Sequence, residues 1–377
     1  MTPNTTLVLE NGHRFDGAAF GAVGERIGEI VFQTGMSGYQ ETLTDPSYAG
    51  QIVVQTAPHI GNTGMNSEDE ESVQIWVEGY VVRDPARRPS NFRSQRSLDD
   101  DLVASGVVGI SGVDTRAITR IIREAGAMRA GIFPLDGRTT EQYLAAVAAA
   151  PVMSGRNLSA EVSVAEAYVV PAIGPSIGVL AVVDLGIKNA TLGHLASRGF
   201  DVHVLPQSVT LEGILAINPV GVFYSNGPGD PSASGRHIEV LRGILERRIP
   251  FFGICFGNQL LGRALGFETY KLTYGHRGIN QPVLDKRSGR IEITAHNHGF
   301  AVDAPTEGII ESPSGFGRVE VSHIGLNDDC VEGLRALDRP AFSVQYHPEA
   351  AAGPHDSTYL LDEFRELVLS SGEPRNA

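Results

Sequence analysis

The sequence contains little cysteine and no long apolar segment. Its 377 residues include only two cysteines, Cys255 and Cys330, which is too few for a disulfide framework and favours a reducing compartment. Residues 1–15 lack the basic start and apolar core of a secretory signal. No apolar run approaches the roughly 20 residues that span a bilayer. We therefore expect a cytoplasmic protein that does not associate with membranes.

The chain also lacks the excess of basic residues that binding to nucleic acid requires. Lys and Arg total 30, whereas Asp and Glu total 44, so the formal net charge is −14. Because an acidic surface repels phosphate backbones, nucleic acid is excluded as the main partner. The length is too great for one ordinary domain and predicts about two.

The pattern along the chain predicts an α/β protein with two domains. Residues 1–150 combine short β-branched runs with helical segments and indicate a mixed α/β domain. Residues 151–176 are rich in Pro and Gly and are typical of a linker. Within the first domain, we predict strands at 7–10, 30–33 and 52–56, and helices at 114–124 and 139–149.

Residues 177–377 have a different rhythm, in which buried strands alternate with helices. This alternation predicts a largely parallel central sheet covered by helices on both faces, with ligands beyond the carboxyl ends of its strands. The predicted strands are 178–183, 202–205, 221–225 and 249–254, and the predicted helices are 189–197, 238–248 and 259–265.

The strongest chemical signal is Cys255, which lies between a predicted strand and a predicted helix. Gly253 and Gly257 flank it at two residues on either side. Small neighbours are needed where a nucleophile sits on a sharp strand-to-helix turn. The helix N-terminus favours a thiolate, and the N–H of Phe256 can face an oxyanion. The alternative is a buried structural cysteine at a strand end.

A thiolate nucleophile needs a base, and His347 is the best candidate among eleven histidines. An alternating run brings it to a strand end, and Glu349 follows two residues later. In an extended chain this spacing points both side chains the same way, so Glu349 can orient the imidazole. The alternative is a His-Pro turn with a solvated glutamate.

Three other features of the sequence are weaker signals of a functional site. The Asn-Gly-Pro-Gly-Asp-Pro loop at 226–231 can cradle an anion or form a tight turn. His296 and His298 alternate as metal ligands do, but no third ligand with recognisable spacing accompanies them, so we predict no metal site. Cys330 lies in an acidic, turn-like segment and is interpreted as structural.

These motifs resemble those of a known family. Residues 226–229, 253–259 and 347–349 are similar, in sequence and in order, to the motifs of class I (triad) glutamine amidotransferases. The first half is similar to the first domain of the carbamoyl-phosphate synthase small subunits, and the likeness covers nearly the whole chain. The segments that carry it there are 34–41, 45–48, 58–62, 90–93 and 114–116.

The resemblance implies roles for particular residues. Cys255 would attack the amide of glutamine, His347 would transfer protons, and Glu349 would complete the triad. The pocket would lie at the domain interface, because one of its implied residues, Ser47, belongs to the first domain. Glutamine would be held by Ser47, Gly227, Gly229, Phe256, Gln259, Asn297, Gly299 and Phe300.

The resemblance also implies a partner. Ammonia would pass to a large subunit that makes carbamoyl phosphate from bicarbonate, ATP and Mg²⁺ for pyrimidine and arginine biosynthesis. This chain would form a heterodimer with it and need no cofactor itself, and it contains no Gly-rich Lys-Ser/Thr loop for ATP. One position departs from the family pattern, because Asn258 stands where His is more usual.

Three other hypotheses stay open at this point. The chain could supply ammonia to a different synthase, although the first domain argues against this. It could be a non-catalytic docking or regulatory subunit with a degenerate site. It could be a cysteine peptidase or a γ-glutamyl hydrolase, which can share the turn around Cys255 but would leave the first domain without a purpose.

Overall fold

The computed structural model describes residues 4–372 and divides into two compact units. Unit 1 comprises the described residues up to Ser154 together with Thr273–Gly278, and unit 2 comprises Gly155–Leu272 and the described residues from Ile279 onward. Residues 155–176 of the predicted linker segment are part of unit 2 and contribute a short helix and a strand to it. Within 4–372, no helix has the length and apolar character needed to cross a membrane.

Unit 1 is built around a seven-stranded closed barrel with the strand order β1-β2-β8-β6-β4-β3-β9. The last strand pairs with the first and closes the ring. The strands and helices are β1 (Thr5–Leu9), β2 (Arg14–Gly21), β3 (Arg26–Gln33), α1 (Tyr39–Thr44), β4 (Gln51–Gln55), β5 (His59–Ile60), β6 (Gly79–Val81), β7 (Asp84–Pro85), α2 (Leu98–Ala104), β8 (Val108–Ser111), α3 (Thr115–Ala125), β9 (Met128–Pro134) and α4 (Thr140–Ala149).

Helix α3 shows how the sequence pattern produces this unit. Ile118 and Ile122, spaced by one helical turn, are fully buried and share a core cluster with Ile52 of β4. The Asp114 side chain caps the helix by accepting a hydrogen bond from the backbone N–H of Ala117. The helix predicted at 114–124 is therefore confirmed, with its start and its buried face explained.

Unit 2 contains an eleven-stranded sheet in the order β10-β12-β11-β13-β14-β20-β19-β16-β15-β18-β17. Its elements are α5 (Ser159–Val162), β10 (Tyr168–Val170), β11 (Gly178–Asp184), α6 (Asn189–Ser197), β12 (Phe200–Pro206), α7 (Leu211–Ala216), β13 (Gly221–Tyr224), α8 (Gly235–Glu246), β14 (Phe251–Ile254), α9 (Phe256–Leu265), β15 (Glu268–Asp285), β16 (Arg290–Asp303), β17 (Ile309–Glu311), β18 (Arg318–Gly325), β19 (Val331–Ala336), β20 (Ala341–Val344) and α10 (Tyr359–Gly372).

The predicted largely parallel sheet is only partly correct. Strands β12, β11, β13, β14 and β20 are parallel to one another. The pairings of β10 with β12, β20 with β19, β19 with β16, and β18 with its neighbours are antiparallel. Short connections such as residues 286–289 reverse the chain without a crossover helix, so they produce antiparallel neighbours. The sheet as a whole is therefore mixed.

Helices cover both faces of the parallel strands. Phe251 and Phe252, adjacent on β14, belong to different core clusters because successive side chains of a strand point to opposite faces. Residues of α7, α8 and α9 fill the first cluster, and residues of α6 and α10 fill the second. This packing fixes the carboxyl ends of β11, β13, β14 and β20 along one edge of the sheet.

Candidate active site

Cys255 lies where β14 ends and α9 begins, at the edge formed by the carboxyl ends of the parallel strands. Its backbone has φ 54° and ψ −98°, a conformation that L-residues rarely adopt. Its N–H donates to the carbonyl of Val344 on β20 at 2.9 Å. The side chain is buried, with only 2% of the residue exposed. The structure thus has the sharp turn that the flanking glycines predict.

The two flanking glycines are sterically required. A Cβ at Gly257 would lie 2.4 Å from the carbonyl oxygen of Tyr224 on β13. A Cβ at Gly253 would lie 2.7 Å from the carbonyl carbon and oxygen of Gly257. Both contacts are with backbone atoms, which cannot move aside as a flexible side chain can. Glycine therefore permits the close approach of helix, strand and neighbouring strand that holds Cys255 in place.

His347 and Glu349 meet through a turn after β20. The imidazole Nδ1 and the Glu349 Oε1 are 2.8 Å apart, and both residues are buried. The extended conformation that we expected is wrong: Pro348 and Glu349 lie in a turn, closed by a hydrogen bond from the Ala350 N–H to the His347 carbonyl at 3.2 Å. The contact between His347 and Glu349 was predicted, but a turn, and not an extended chain, brings the two side chains together.

A third side chain completes this arrangement. Lys188, which directly precedes α6, places its Nζ 2.8 Å from the Glu349 Oε1. Burial by itself would raise the pKa of Glu349, but the charges of Lys188 and His347 outweigh it and hold that pKa well below its usual range. Glu349 is therefore an anion that keeps Nδ1–H of His347 as the donor. In the neutral ring, Nε2 then carries the lone pair.

The Nε2 atom of His347 is buried and makes no hydrogen bond within the described structure.

Strand β16 lies beside both catalytic candidates. The Cys255 thiol donates to the Asn297 carbonyl at 3.5 Å, and the His347 N–H donates to the Ala295 carbonyl at 2.9 Å. One strand thus contacts both Cys255 and His347.

The other predicted glutamine-binding residues of unit 2 fall into two groups. Gln259 on α9 donates to the Phe300 carbonyl of β16 at 2.9 Å, so these two are brought together. Phe256 is the first residue of α9, directly after Cys255, and Gly299 lies on β16 between Asn297 and Phe300.

The second group is the loop after β13. A Cβ at Gly227 would lie 2.2 Å from the Leu185 carbonyl oxygen. At Gly229, where φ is 101°, a Cβ would lie 2.7 Å from the carbonyl oxygen of Arg156. This loop is joined to the nucleophile turn by a hydrogen bond from the Gly257 N–H to the Ser225 carbonyl at 3.2 Å.

Ser47 is the one predicted glutamine-binding residue in unit 1. It lies in the short 3₁₀ turn Pro46–Tyr48 and is buried, and its N–H donates to the Asp45 carboxylate at 2.9 Å. Its assignment to glutamine stays a prediction of the resemblance.

Asn258, the residue that departs from the family pattern, has a structural explanation. Its side chain is fully buried and faces β20. It accepts from the Ser343 hydroxyl at 2.8 Å and donates to the Gln345 side-chain oxygen at 3.1 Å, an oxygen that Gln259 also reaches at 3.2 Å. An amide supplies both the donor and the acceptor that this position uses.

Lys188 and Gln345 were not predicted from the sequence. Both follow the carboxyl end of a parallel strand, β11 and β20 respectively. Polar residues at that edge are expected to face ligands, so this rule was the available signal. Cys255, His347 and Glu349 together supply a buried thiol, an imidazole with an oriented ring and a carboxylate beside it, which are the groups that acyl transfer through a thioester can use.

Family models match both halves of the chain. Residues 7–132 match the carbamoyl-phosphate synthase small chain, CPSase domain, and residues 181–367 match the glutamine amidotransferase class-I family.

Three similar curated proteins carry the name carbamoyl phosphate synthase small chain. The relative from Streptomyces coelicolor is 63% identical, with 96% of this chain and 95% of the relative covered. The relative from Bifidobacterium longum (strain NCC 2705) is 57% identical, with 98% and 95% covered. The relative from Mycobacterium tuberculosis (strain H37Rv) is 54% identical, with 97% and 98% covered. The chain therefore belongs to the carbamoyl-phosphate synthase small-chain family and carries a class I glutamine amidotransferase domain.

Proposed function

We propose that this enzyme subunit hydrolyses L-glutamine to glutamate and ammonia and delivers the ammonia to a large subunit. The observation that carries the proposal is the His347–Glu349 contact of 2.8 Å beside the strained turn at Cys255. That contact fixes the ring tautomer in which Nε2 can accept a proton, as a general base must.

The reaction would proceed in two stages. In the first, Cys255 Sγ attacks the side-chain amide carbon of glutamine while His347 Nε2 takes the thiol proton. The same proton then goes to the departing nitrogen, so ammonia leaves and a γ-glutamyl thioester remains. In the second, water gives a proton to His347 and its oxygen to the thioester, which releases glutamate and restores the thiol.

Backbone groups would stabilise the oxyanion of each stage. The N–H of Phe256, the first residue of α9, would contribute to this, together with N–H groups of the loop near Gly227. The Glu349 carboxylate, which Lys188 helps to keep ionised, would offset the positive charge that His347 gains when it holds the proton. These roles rest on the arrangement of side chains in unit 2 and on the family resemblance.

The partner is proposed from family membership. A large subunit would combine the ammonia with bicarbonate and ATP, with Mg²⁺ on that subunit, to make carbamoyl phosphate. We propose that ammonia reaches it through an internal channel and that the product serves pyrimidine and arginine biosynthesis in the cytoplasm.

The test measures glutamate release from glutamine by the purified chain, alone and with the large subunit, ATP and bicarbonate. We expect weak release alone and a strong rise in the full mixture. Cys255→Ala should abolish release in both, whereas Cys330→Ala, the same change at the other buried cysteine, should retain it. Full release by Cys255→Ala would refute the mechanism, and fast release that ignores the partner would indicate a free-standing hydrolase.

A further inference from the structure

Two histidines of β16 and one glutamate of β19 form a buried cluster that the proposed reaction does not use. His296, His298 and Glu332 are each less than 5% exposed. His296 Nδ1 lies 3.2 Å from His298 Nε2, and these two nitrogens lie 3.7 and 3.8 Å from Glu332 Oε1. Three potential ligand atoms thus converge on one point within unit 2.

The hydrogen bond on the far side of His298 fixes which of its nitrogens carries a proton. Nδ1 lies 2.9 Å from the Phe300 carbonyl oxygen, which can only accept. Nδ1 is therefore protonated, and in the neutral ring Nε2 presents its lone pair to the cluster.

A hydrogen bond on its far side likewise fixes which nitrogen of His296 carries a proton. The Thr294 hydroxyl donates its hydrogen to the Gln281 carbonyl at 2.8 Å, so it must accept from His296 Nε2, which is 2.7 Å away. Nε2 is therefore protonated, and Nδ1 presents its lone pair. Two acceptors now face each other at 3.2 Å. Two ring nitrogens that each direct a lone pair to one point are arranged as the two histidine ligands of a single metal ion are.

We propose that His296, His298 and Glu332 bind a divalent transition metal, with Zn²⁺ the best fit. Zinc bound to His nitrogen at about 2.0–2.1 Å in a tetrahedron separates its ligand atoms by roughly 3.3–3.4 Å, close to the spacings of this cluster. A pair of imidazoles selects Zn²⁺ over Ca²⁺ and Mg²⁺, which take oxygen ligands.

The outer hydrogen bonds are also those of a metal site. Histidine ligands usually donate their second N–H to a carbonyl or another oxygen, which orients the ring. Phe300 and Thr294 supply these acceptors. The sequence predicted no metal site because Glu332 lies far along the chain, and only the pairing of β16 with β19 brings it near.

A metal here would serve as a structural tie. It would join β16 to β19 through His296 and His298, which lie on either side of Asn297. The Asn297 carbonyl accepts a hydrogen bond from the Cys255 thiol at 3.5 Å. The site would hold the strand beside the nucleophile without taking part in the reaction.

The first test uses Co²⁺ as a spectroscopic probe of the wild-type full chain, stripped of metal with a chelator and then titrated. Two imidazoles and a carboxylate predict visible bands of tetrahedral Co²⁺ that saturate at about one ion per chain. They also predict no thiolate-to-cobalt charge-transfer band of the kind that Cys255 or Cys330 would give. A flat visible spectrum, or one dominated by charge transfer, would overturn the proposal.

The second test compares His296→Gln with His194→Gln, the same change at a half-buried histidine of α6. After dialysis with Zn²⁺, the wild type and His194→Gln should retain about one ion per chain, and their Tm should rise on metal addition. His296→Gln should do neither. Equal zinc content in all three proteins would overturn the proposal. If His296→Gln does not fold, Glu332→Gln takes its place with the same expectation.

Discussion

At the scale of single residues, the buried anion Glu349 depends on its two partners. It is fully buried, and an isolated carboxylate in that position would take up a proton. Lys188 and His347 each contact the same oxygen at 2.8 Å. In the proposed reaction His347 changes its protonation state, so Lys188 is the lasting positive charge beside Glu349.

We predict that Lys188→Met lowers the free energy of unfolding by about 3–5 kcal/mol at pH 8, because it leaves a buried charge without its permanent partner. In the wild type, the lowered pKa of Glu349 stabilises the fold above the usual carboxyl range, and that stabilisation is lost as the pH falls through the lowered pKa. In the variant, the folded carboxyl takes up a proton more readily, so the deficit should shrink between pH 8 and pH 5. Urea unfolding at the two pH values measures this.

The control is Arg120→Met. Arg120 and Glu124 form an ion pair on α3 at 3.9 Å, but their side chains are 73% and 74% exposed. Removing an exposed pair costs about 0.5 kcal/mol or less. A Lys188→Met deficit of that size, or one that does not change with pH, would show that the buried pair is not what keeps Glu349 charged.

Residue types in a pattern were enough to single out Cys255, His347 and Glu349, because flanking glycines and close spacing are local features. Lys188 and Glu332 have no local signal of that kind. Their roles depend on which strands become neighbours, and strand order cannot be read from spacing along the chain.

At the scale of elements, the turn between β14 and α9 is held by packing against β13. Gly257 has no side chain, and its N–H donates to the Ser225 carbonyl at 3.2 Å. The first turn of α9 therefore lies directly against the end of β13. The strained conformation of Cys255 persists because three elements restrain it together.

We predict that Gly257→Ala destabilises the chain by about 1–3 kcal/mol, since its Cβ would lie 2.4 Å from a backbone oxygen of β13. Displacing Cys255 by about 1 Å should also lower the proposed glutamine hydrolysis, by about 100-fold. Thermal unfolding and glutamate release measure the two effects.

Gly193→Ala is the matched control, because a Cβ at this position of α6 would meet nothing within 4 Å. It should stabilise the chain by about 0.5–1 kcal/mol, as alanine does in a helix interior, and leave hydrolysis unchanged. Similar behaviour of the two alanine variants would contradict the steric account of the turn.

Elements with a simple pattern were predicted well. The helix expected at 189–197 is α6 (Asn189–Ser197), and the run at 178–183 forms β11. Helix α9 was predicted to start at 259 but begins at Phe256. Its first turn follows a strained residue without a capping side chain, so the usual start signal is missing.

At the scale of the whole molecule, the barrel of unit 1 was not foreseen. Its strands were partly identified, but closure depends on pairings such as β1 with β9, which are separated by more than a hundred residues. No local pattern specifies such a pairing. The mixed sheet of unit 2 was missed for the same reason, since its antiparallel half depends on hairpins after 265.

Each unit carries its own spectroscopic or chemical probe. The single tryptophan, Trp76, belongs to unit 1, and both cysteines belong to unit 2 and are 2% exposed. Tryptophan fluorescence therefore reports unfolding of unit 1, and thiol reactivity reports unfolding of unit 2. The two units also have separate hydrophobic clusters.

These probes test how the pH dependence of stability is distributed over the molecule. Burial lowers the pKa of His323 in unit 2 from its ordinary 6.5 to about 4, with Asp285 opposing the shift and Arg287 and Arg335 adding to it. The unfolded chain binds this proton at higher pH than the folded chain does. Stability is therefore present above pH 6.5 and is lost as the pH falls towards 4.

We predict that unit 2 of the wild type loses about 3 kcal/mol more stability between pH 7 and pH 4 than unit 2 of His323→Gln does. This difference follows from the lowering of the His323 pKa from 6.5 to about 4. The difference is measured by urea unfolding, in which an aromatic disulfide that reacts with thiols in acid detects the exposed cysteines. Trp76 fluorescence is the internal control, because the substitution lies in the core of unit 2 and should leave the pH dependence of unit 1 unchanged. Equal pH dependence of thiol exposure in the two proteins would show that His323 is protonated in the folded chain at little cost.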